Sequence, residues 1–180
     1  MLPERDTTLG QVTESGLSCL LERVSQQFGL KGTAELVERS TFIDLGSGNG
    51  EAVLFVAKSW KGLLCSVGIE LLAERHTAAS SALQTDPEAG EIADRVHLVC
   101  GDVFEIPRES VLPQMAINAQ RHIVLMNSLT WPAKLQCSVL KRVEQLIPEE
   151  DEAVILTTKY YMEDLHIDVS ALFRREAFVW

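Results

Sequence analysis

Thr41-Phe42-Ile43-Asp44-Leu45-Gly46-Ser47-Gly48-Asn49-Gly50 is an apolar run that stops at a carboxylate and then turns through alternating glycines. The run predicts a buried strand. The glycines predict a tight turn whose bare backbone a ligand can approach closely. Ala52, Val53, Phe55, Val56 and Ala57 then share the apolar face of a helix. Strand, glycine turn and helix form the first unit of an alternating α/β domain.

Two kinds of ligand compete for such a turn. A dinucleotide fingerprint reads G-x-G-x-x-G, with an acidic residue about 20 positions further on. Gly46 and Gly48 fit it, but Glu51 occupies the place of its last glycine and puts negative charge where a pyrophosphate would sit. S-adenosylmethionine carries no phosphate. It has a sulfonium, an ammonium and a carboxylate, so Asp44 beside the loop attracts its cationic end. Charge therefore selects S-adenosylmethionine as the expected cofactor. Glu70 closes the next apolar run, Leu63-Leu64-Cys65-Ser66-Val67-Gly68-Ile69, and offers two carboxylate oxygens to the ribose hydroxyls. The bland alternative is a generic tight turn with a surface glutamate.

Further strands are expected at Val96 to Cys100, Ile123 to Met126 and Ala153 to Leu156, the second of these apolar throughout and so buried on both faces. Helices are expected at about Glu14 to Phe28, Leu71 to Leu83 and Ala133 to Leu146, the last stopped by Pro148. His166 to Val169 and Arg175 to Trp180 are expected to form a terminal antiparallel hairpin. In such sheets ligands bind beyond the carboxyl ends of the strands. Asp44, Glu70, Asp102 and Asn127 all fall there.

The chain has 180 residues, 46% of them hydrophobic, which suits one domain with a substantial core. The division expected is an N-terminal helical segment over residues 1–40 and a cofactor-binding domain over 41–180. No apolar stretch approaches the roughly 20 residues that cross a bilayer, and the first residues lack a secretion pattern, so an intracellular protein without a membrane partner is expected. Cys19, Cys65, Cys100 and Cys137 are scattered in apolar neighbourhoods, without the close pairs of a zinc site, and read as reduced core thiols. No metal is expected, and His76, His97, His122 and His166 receive no catalytic part. Against 26 acidic residues stand 16 basic ones, a net charge of −10, so direct DNA binding by this chain alone is not expected.

The site reading follows from these placements. Asp102 accepts a hydrogen bond from the adenine amino group while Val103 or Phe104 packs on the ring; alternatively Asp102 is a turn aspartate. Methyl transfer is an in-line displacement, for which the enzyme supplies alignment, desolvation and a deprotonated nucleophile. Asn127 can orient a neutral lysine amine, with Leu129 and Trp131 excluding water; alternatively Asn127-Ser128 turns the chain into the next helix.

The loop of Phe42 to Gly50, the Glu70 strand end, Gly101-Asp102-Val103-Phe104, Val124-Leu125-Met126-Asn127-Ser128-Leu129-Thr130-Trp131 and Leu156-Thr157-Thr158-Lys159 together resemble the disruptor-of-telomeric-silencing (Dot-one) family of histone lysine methyltransferases, from roughly Thr13 to the end. The resemblance implies a Rossmann-like class I methyltransferase fold, a mostly parallel seven-stranded sheet with helices on both faces, and assigns 41–180 as the methyltransferase domain. It implies cofactor contacts from Asp44, Gly46, Ser47, Gly48, Gly50, Glu51, Glu70, Leu71, Gly101, Asp102, Val103 and Ser15, with Asn127 as the active-site asparagine. It also implies a histone or nucleosome substrate and a nuclear location, the cytoplasm being the alternative. Glu51, Val103 and Ser128 differ from the family pattern, and this chain is acidic and short. A non-histone or small-molecule acceptor, and a noncatalytic module of the same fold, are therefore the competing readings.

Overall fold

The computed structural model describes residues 12–127, 131–157 and 177–179. Helix α1 (Glu14–Gln27) is capped by the Thr13 hydroxyl, which accepts from the Gly16 amide, and it buries Leu17, Leu20, Leu21 and Val24 at helical spacing. Gly29, in the left-handed region, turns the chain into a short helix α2 (Thr33–Val37) that the apolar periodicity did not announce.

Strand β1 (Ser40–Leu45) is buried along its whole length. It is followed by α3 (Glu51–Ser59), β2 (Cys65–Glu70) and α4 (Ala73–Thr85). One-turn helices α5 (Ala89–Ile92) and α6 (Arg108–Val111) flank β3 (Val96–Cys100). Then come β4 (Arg121–Met126), α7 (Ala133–Leu146), β5 (Glu152–Thr157) and β6 (Ala177–Val179).

The strand order is β3-β2-β1-β4-β5-β6, and every pairing is parallel. The order reverses between β1 and β4, so the carboxyl ends of β1, β2 and β4 open a crevice at the switch point of a doubly wound sheet. Alternation along the strands sorts the core into two layers. Phe42, Ile123, Leu125, Val154 and Leu156 pack with α1, α2 and α3, while Ile43, Leu45, Val67, Ile69, Val124, Met126 and Ile155 pack with α7. Each fully buried Leu, Ile or Phe in these layers contributes about 1.5–3 kcal/mol. The continuous burial expected of β4 is present.

Among the described residues six strands stand in the sheet, and Ala177–Val179 joins the edge parallel to β5. A parallel partner needs a long crossover, which the chain between β5 and β6 is long enough to supply; His166 to Val169 lie outside the described residues. Helix α4 begins at Ala73, so Leu71 and Leu72 belong to the turn before it. All four cysteines are free, but of them Cys65 alone is buried, and burial pushes its thiol up to about 12. Cys19 lies on the solvent side of α1 and Cys100 ends the edge strand β3, so both are exposed.

Candidate functional site

Three glycines with positive φ shape the turn after β1: Gly46 at 82°, Gly48 at 55° and Gly50 at 80°. The left-handed region admits glycine without the strain other residues suffer. The turn is stapled to β2, because the amides of Gly46 and Ser47 both donate to the Ile69 carbonyl, at 2.8 and 3.0 Å. It also lies tightly over that strand. A Cβ on Gly68 would sit 2.8 Å from Ser47 Oγ and 3.0 Å from Val53 Cγ2, so a bare strand position lets the turn and α3 come this close.

Glu70 ends β2 and is only 5% exposed. Its Oε2 accepts from the Gly48 amide at 2.8 Å and its Oε1 from the Leu72 amide at 2.9 Å. Each carboxylate oxygen keeps a second lone pair for a ligand hydroxyl. Asp44 is equally buried, and its carboxyl is pushed up to about 7, first by desolvation and second by the charge of Glu70. Neither acid forms a salt bridge among the described residues.

After β3 the Gly101 amide donates to the Glu70 carbonyl, which draws the next loop alongside. Asp102 Oδ1 accepts from the Phe104 amide at 3.0 Å, the bond of an aspartate turn, and one carboxylate oxygen is thereby committed to holding the loop. Arg142 on α7 secures the same loop through Nε to the Val103 carbonyl and an NH2 donor to that of Ile106.

These elements enclose a cleft of about 990 Å³ at the switch point. Asp44, Gly46, Ser47, Gly48, Glu51, Glu70, Leu71, Gly101, Asp102, Val103 and Asn127 line it together. Gly50 does not: it caps α3, and a Cβ there would face Ala79. Ser15 does not either; it stands exposed on the first turn of α1, its hydroxyl 3.3 Å from that of Thr13. Thr13 and Glu14 instead line an adjoining hollow of about 210 Å³ that shares Val12, Glu51 and Ala52 with the main cleft. Trp131 lines the cleft near Gly46. Ser128, Leu129, Thr130, Thr158, Lys159 and Trp180 lie outside the described residues.

Sequence reading missed Leu72, Arg75 and Leu135 in the lining. Leu71, Leu72, Phe104 and Leu135 are large, exposed and on this one cleft, an apolar rim suited to a flat ring. The available signal was the pair Leu71-Leu72 directly behind Glu70. Among the described residues no cluster of His, Cys, Asp and Glu could hold a metal, and no helix is long and apolar enough to cross a membrane.

The donor set fits the expected cofactor: backbone without side chains, two buried acids for positive charge, a carboxylate with spare acceptors and an apolar rim. It does not fit a phosphate, since Glu51 occupies the first turn of α3 where an anion would lie. The model of the histone methylation protein DOT1 family matches residues 24–166. The chain belongs to that family.

Comparison with solved structures agrees on the fold. PKMT2 from Rickettsia typhi matches with a TM-score of 0.50 at 16% identity, over 74% of this chain and 23% of that one. The O-methyltransferase NcsB1 of neocarzinostatin biosynthesis, solved with S-adenosyl-L-homocysteine and 1,4-dihydroxy-2-naphthoic acid, also scores 0.50, at 15% identity over 79% of this chain and 38% of that one. Mitomycin 7-O-methyltransferase MmcR scores 0.49 at 18% identity, over 89% and 48%. The chain thus spans less than half the length of each of these structures. The DOT1-family chain matches no curated protein.

Proposed function

We propose that this chain binds S-adenosylmethionine in the switch-point cleft and transfers its methyl group to the amine of a protein lysine, on histone. One observation carries the reading: Asp44, Glu70, Asp102 and Asn127, from the ends of four strands, share one cleft whose glycine turn is edged by acids. Family membership supplies the histone.

In this reading Glu70 takes both ribose hydroxyls on its spare lone pairs, and Asp44 and Glu51 face the cationic amino-acid end. Gly46, Ser47 and Gly48 offer backbone to the ligand. Leu71, Gly101, Val103 and Phe104 flank the adenine, with the remaining Asp102 oxygen on its amino group. Gly50 and Ser15 act indirectly, by capping α3 and by fixing the start of α1. When bound, S-adenosylmethionine supplies an electrophilic methyl on a sulfonium, which leaves as a neutral thioether while the nitrogen–carbon bond forms. Asn127 orients the deprotonated lysine amine in line, and Trp131 excludes water from it.

Helices α1 and α2 pack on the sheet, with Thr13 and Glu14 in the hollow that adjoins the cleft at Glu51, which supports a division into an N-terminal helical segment over 1–40 and a methyltransferase domain over 41–180. We include in this reading the seventh strand expected at 166–169, a nuclear location and a nucleosome as the larger substrate. A non-histone acceptor is the second reading, favoured by the net charge of −10, which opposes docking on DNA.

Calorimetric titration with S-adenosylmethionine and its demethylated product, followed by transfer of labelled methyl to free histones, nucleosomes and total lysate, tests the proposal. Binding with label on a histone lysine is expected. Binding with label on another acceptor selects the second reading, and no binding ends both.

A further inference from the structure

The carboxyl end of β5 is held by an amide of which one half is unused. Gln136 on α7 is fully buried; its Nε2 donates to Thr157 Oγ1 at 2.8 Å, and its Oε1 has no hydrogen-bond partner among the described residues. The other buried positions on the same helix are Val139, Leu140, Val143 and Leu146, all apolar. An orphaned buried carbonyl costs about 1–3 kcal/mol. Methionine has nearly the same volume and shape and would fill the position without that cost. Stability does not explain an amide here.

Its placement does. Thr157 is the register partner of Met126, and Asn127 is the next residue. Leu135 and Val139, one before and three after Gln136 on α7, line the cleft together with Asn127. A side-chain bond therefore ties α7 to the end of β5 beside the end of β4, where the acceptor amine would enter. We propose that Gln136 is a positioning residue for methyl transfer, holding through Thr157 the ends of β4 and β5 in the arrangement that presents Asn127 to the acceptor. The inference rests on the reading of the cleft as a methyl-transfer site.

Gln136→Met, Thr157→Val and the double variant test it alongside the wild type. Five quantities are measured: the unfolding midpoint, the S-adenosylmethionine Kd, kcat and KM on free histones, and the NMR resonances of the Asn127 side-chain amide. The expected midpoint of Gln136→Met is unchanged or higher, with Kd little altered. The expected kcat falls about tenfold or more at similar KM, the double variant is no worse than either single one, and the Asn127 resonances move in each. An unchanged kcat, additive losses, or a lowered midpoint with a matching loss of cofactor affinity would overturn the proposal. If the wild type itself transfers no methyl to histone, the functional reading fails separately. The positioning claim then stands or falls on the Asn127 resonances, and unmoved resonances overturn it.

Discussion

Glu70 Oε2 accepts the Gly48 amide at 2.8 Å, so the acid that closes β2 is bonded to the middle of the glycine turn that follows β1. One carboxylate thereby does two jobs: it fixes the turn with one lone pair and keeps another for a ligand. Hydrogen bonds to a charged group contribute about 1.5–3 kcal/mol each, and Glu70 makes two to backbone.

Glu70→Ala is therefore expected to lower stability by about 2–4 kcal/mol and to abolish measurable cofactor binding. Glu70→Gln keeps one acceptor and is expected to lie between. Urea denaturation and calorimetry on the same preparations check both. Unchanged stability in Glu70→Ala would show that the turn needs no staple from β2.

Asp44 sets a pH dependence whose sign is fixed. Its folded value, pushed up to about 7, stands above the ordinary value near 3.8. The folded state thus keeps a proton that the unfolded chain releases, and the stability this confers is present below about pH 4 and lost as pH rises through about 7. The difference is of the order of 4 kcal/mol. Asp44→Asn should accordingly be more stable than the wild type at about pH 8 in thermal unfolding.

Cofactor binding runs the other way. A cationic ligand favours the ionised carboxylate, so affinity for S-adenosylmethionine is expected to rise from about pH 6 to pH 8 and then level off. In Asp44→Asn that rise should disappear and affinity should drop by more than about 1 kcal/mol. Calorimetry across the range reads both effects, and an equal pH profile in the variant would remove Asp44 from the site.

Much of the site was legible because its signals are short-range. An apolar run ending beside Asp44, glycines at Gly46 and Gly48, and an acid at Glu70 each follow from backbone geometry and strand ends, and the structure gathers them at one switch point. Signals that depend on a neighbour across space were not legible. Leu71 and Leu72 read as the start of a helix, yet precede it and stand 64% and 52% exposed at the cleft rim. Cys19 and Cys100 have apolar neighbours in sequence, yet both are exposed. The Gln136–Thr157 pair and the short helix α2 leave no periodic trace.

Gly68 offers a test of how closely the turn must lie on β2. In Gly68→Ala the new methyl meets Ser47 Oγ at 2.8 Å and Val53 Cγ2 at 3.0 Å. The turn and the start of α3 have to move outward. Overpacking of this kind costs about 1–3 kcal/mol, and a cofactor affinity lowered by more than the stability would show that the displaced turn is the ligand's own. A variant with wild-type affinity would place the contact surface elsewhere.

The opposite edge of the sheet separates stability from binding. His122 is buried on β4, with Nε2 3.0 Å from Asp151 Oδ2 and Nδ1 2.7 Å from Thr41 Oγ1. The ionised carboxylate only accepts, so Nε2 carries the hydrogen; in the neutral ring the Thr41 hydroxyl then donates to Nδ1. This chain joins β1, β4 and the turn before β5 at their amino ends, away from the cleft at the carboxyl ends. His122→Phe fills the space but leaves the buried Thr41 hydroxyl without that partner, at a cost of about 1–3 kcal/mol. The expected outcome is a lower urea midpoint with an unaltered Kd for S-adenosylmethionine at temperatures where the variant is folded. A change in Kd under those conditions would mean that the two edges of the sheet are coupled, and that this histidine takes part in more than holding three strands together.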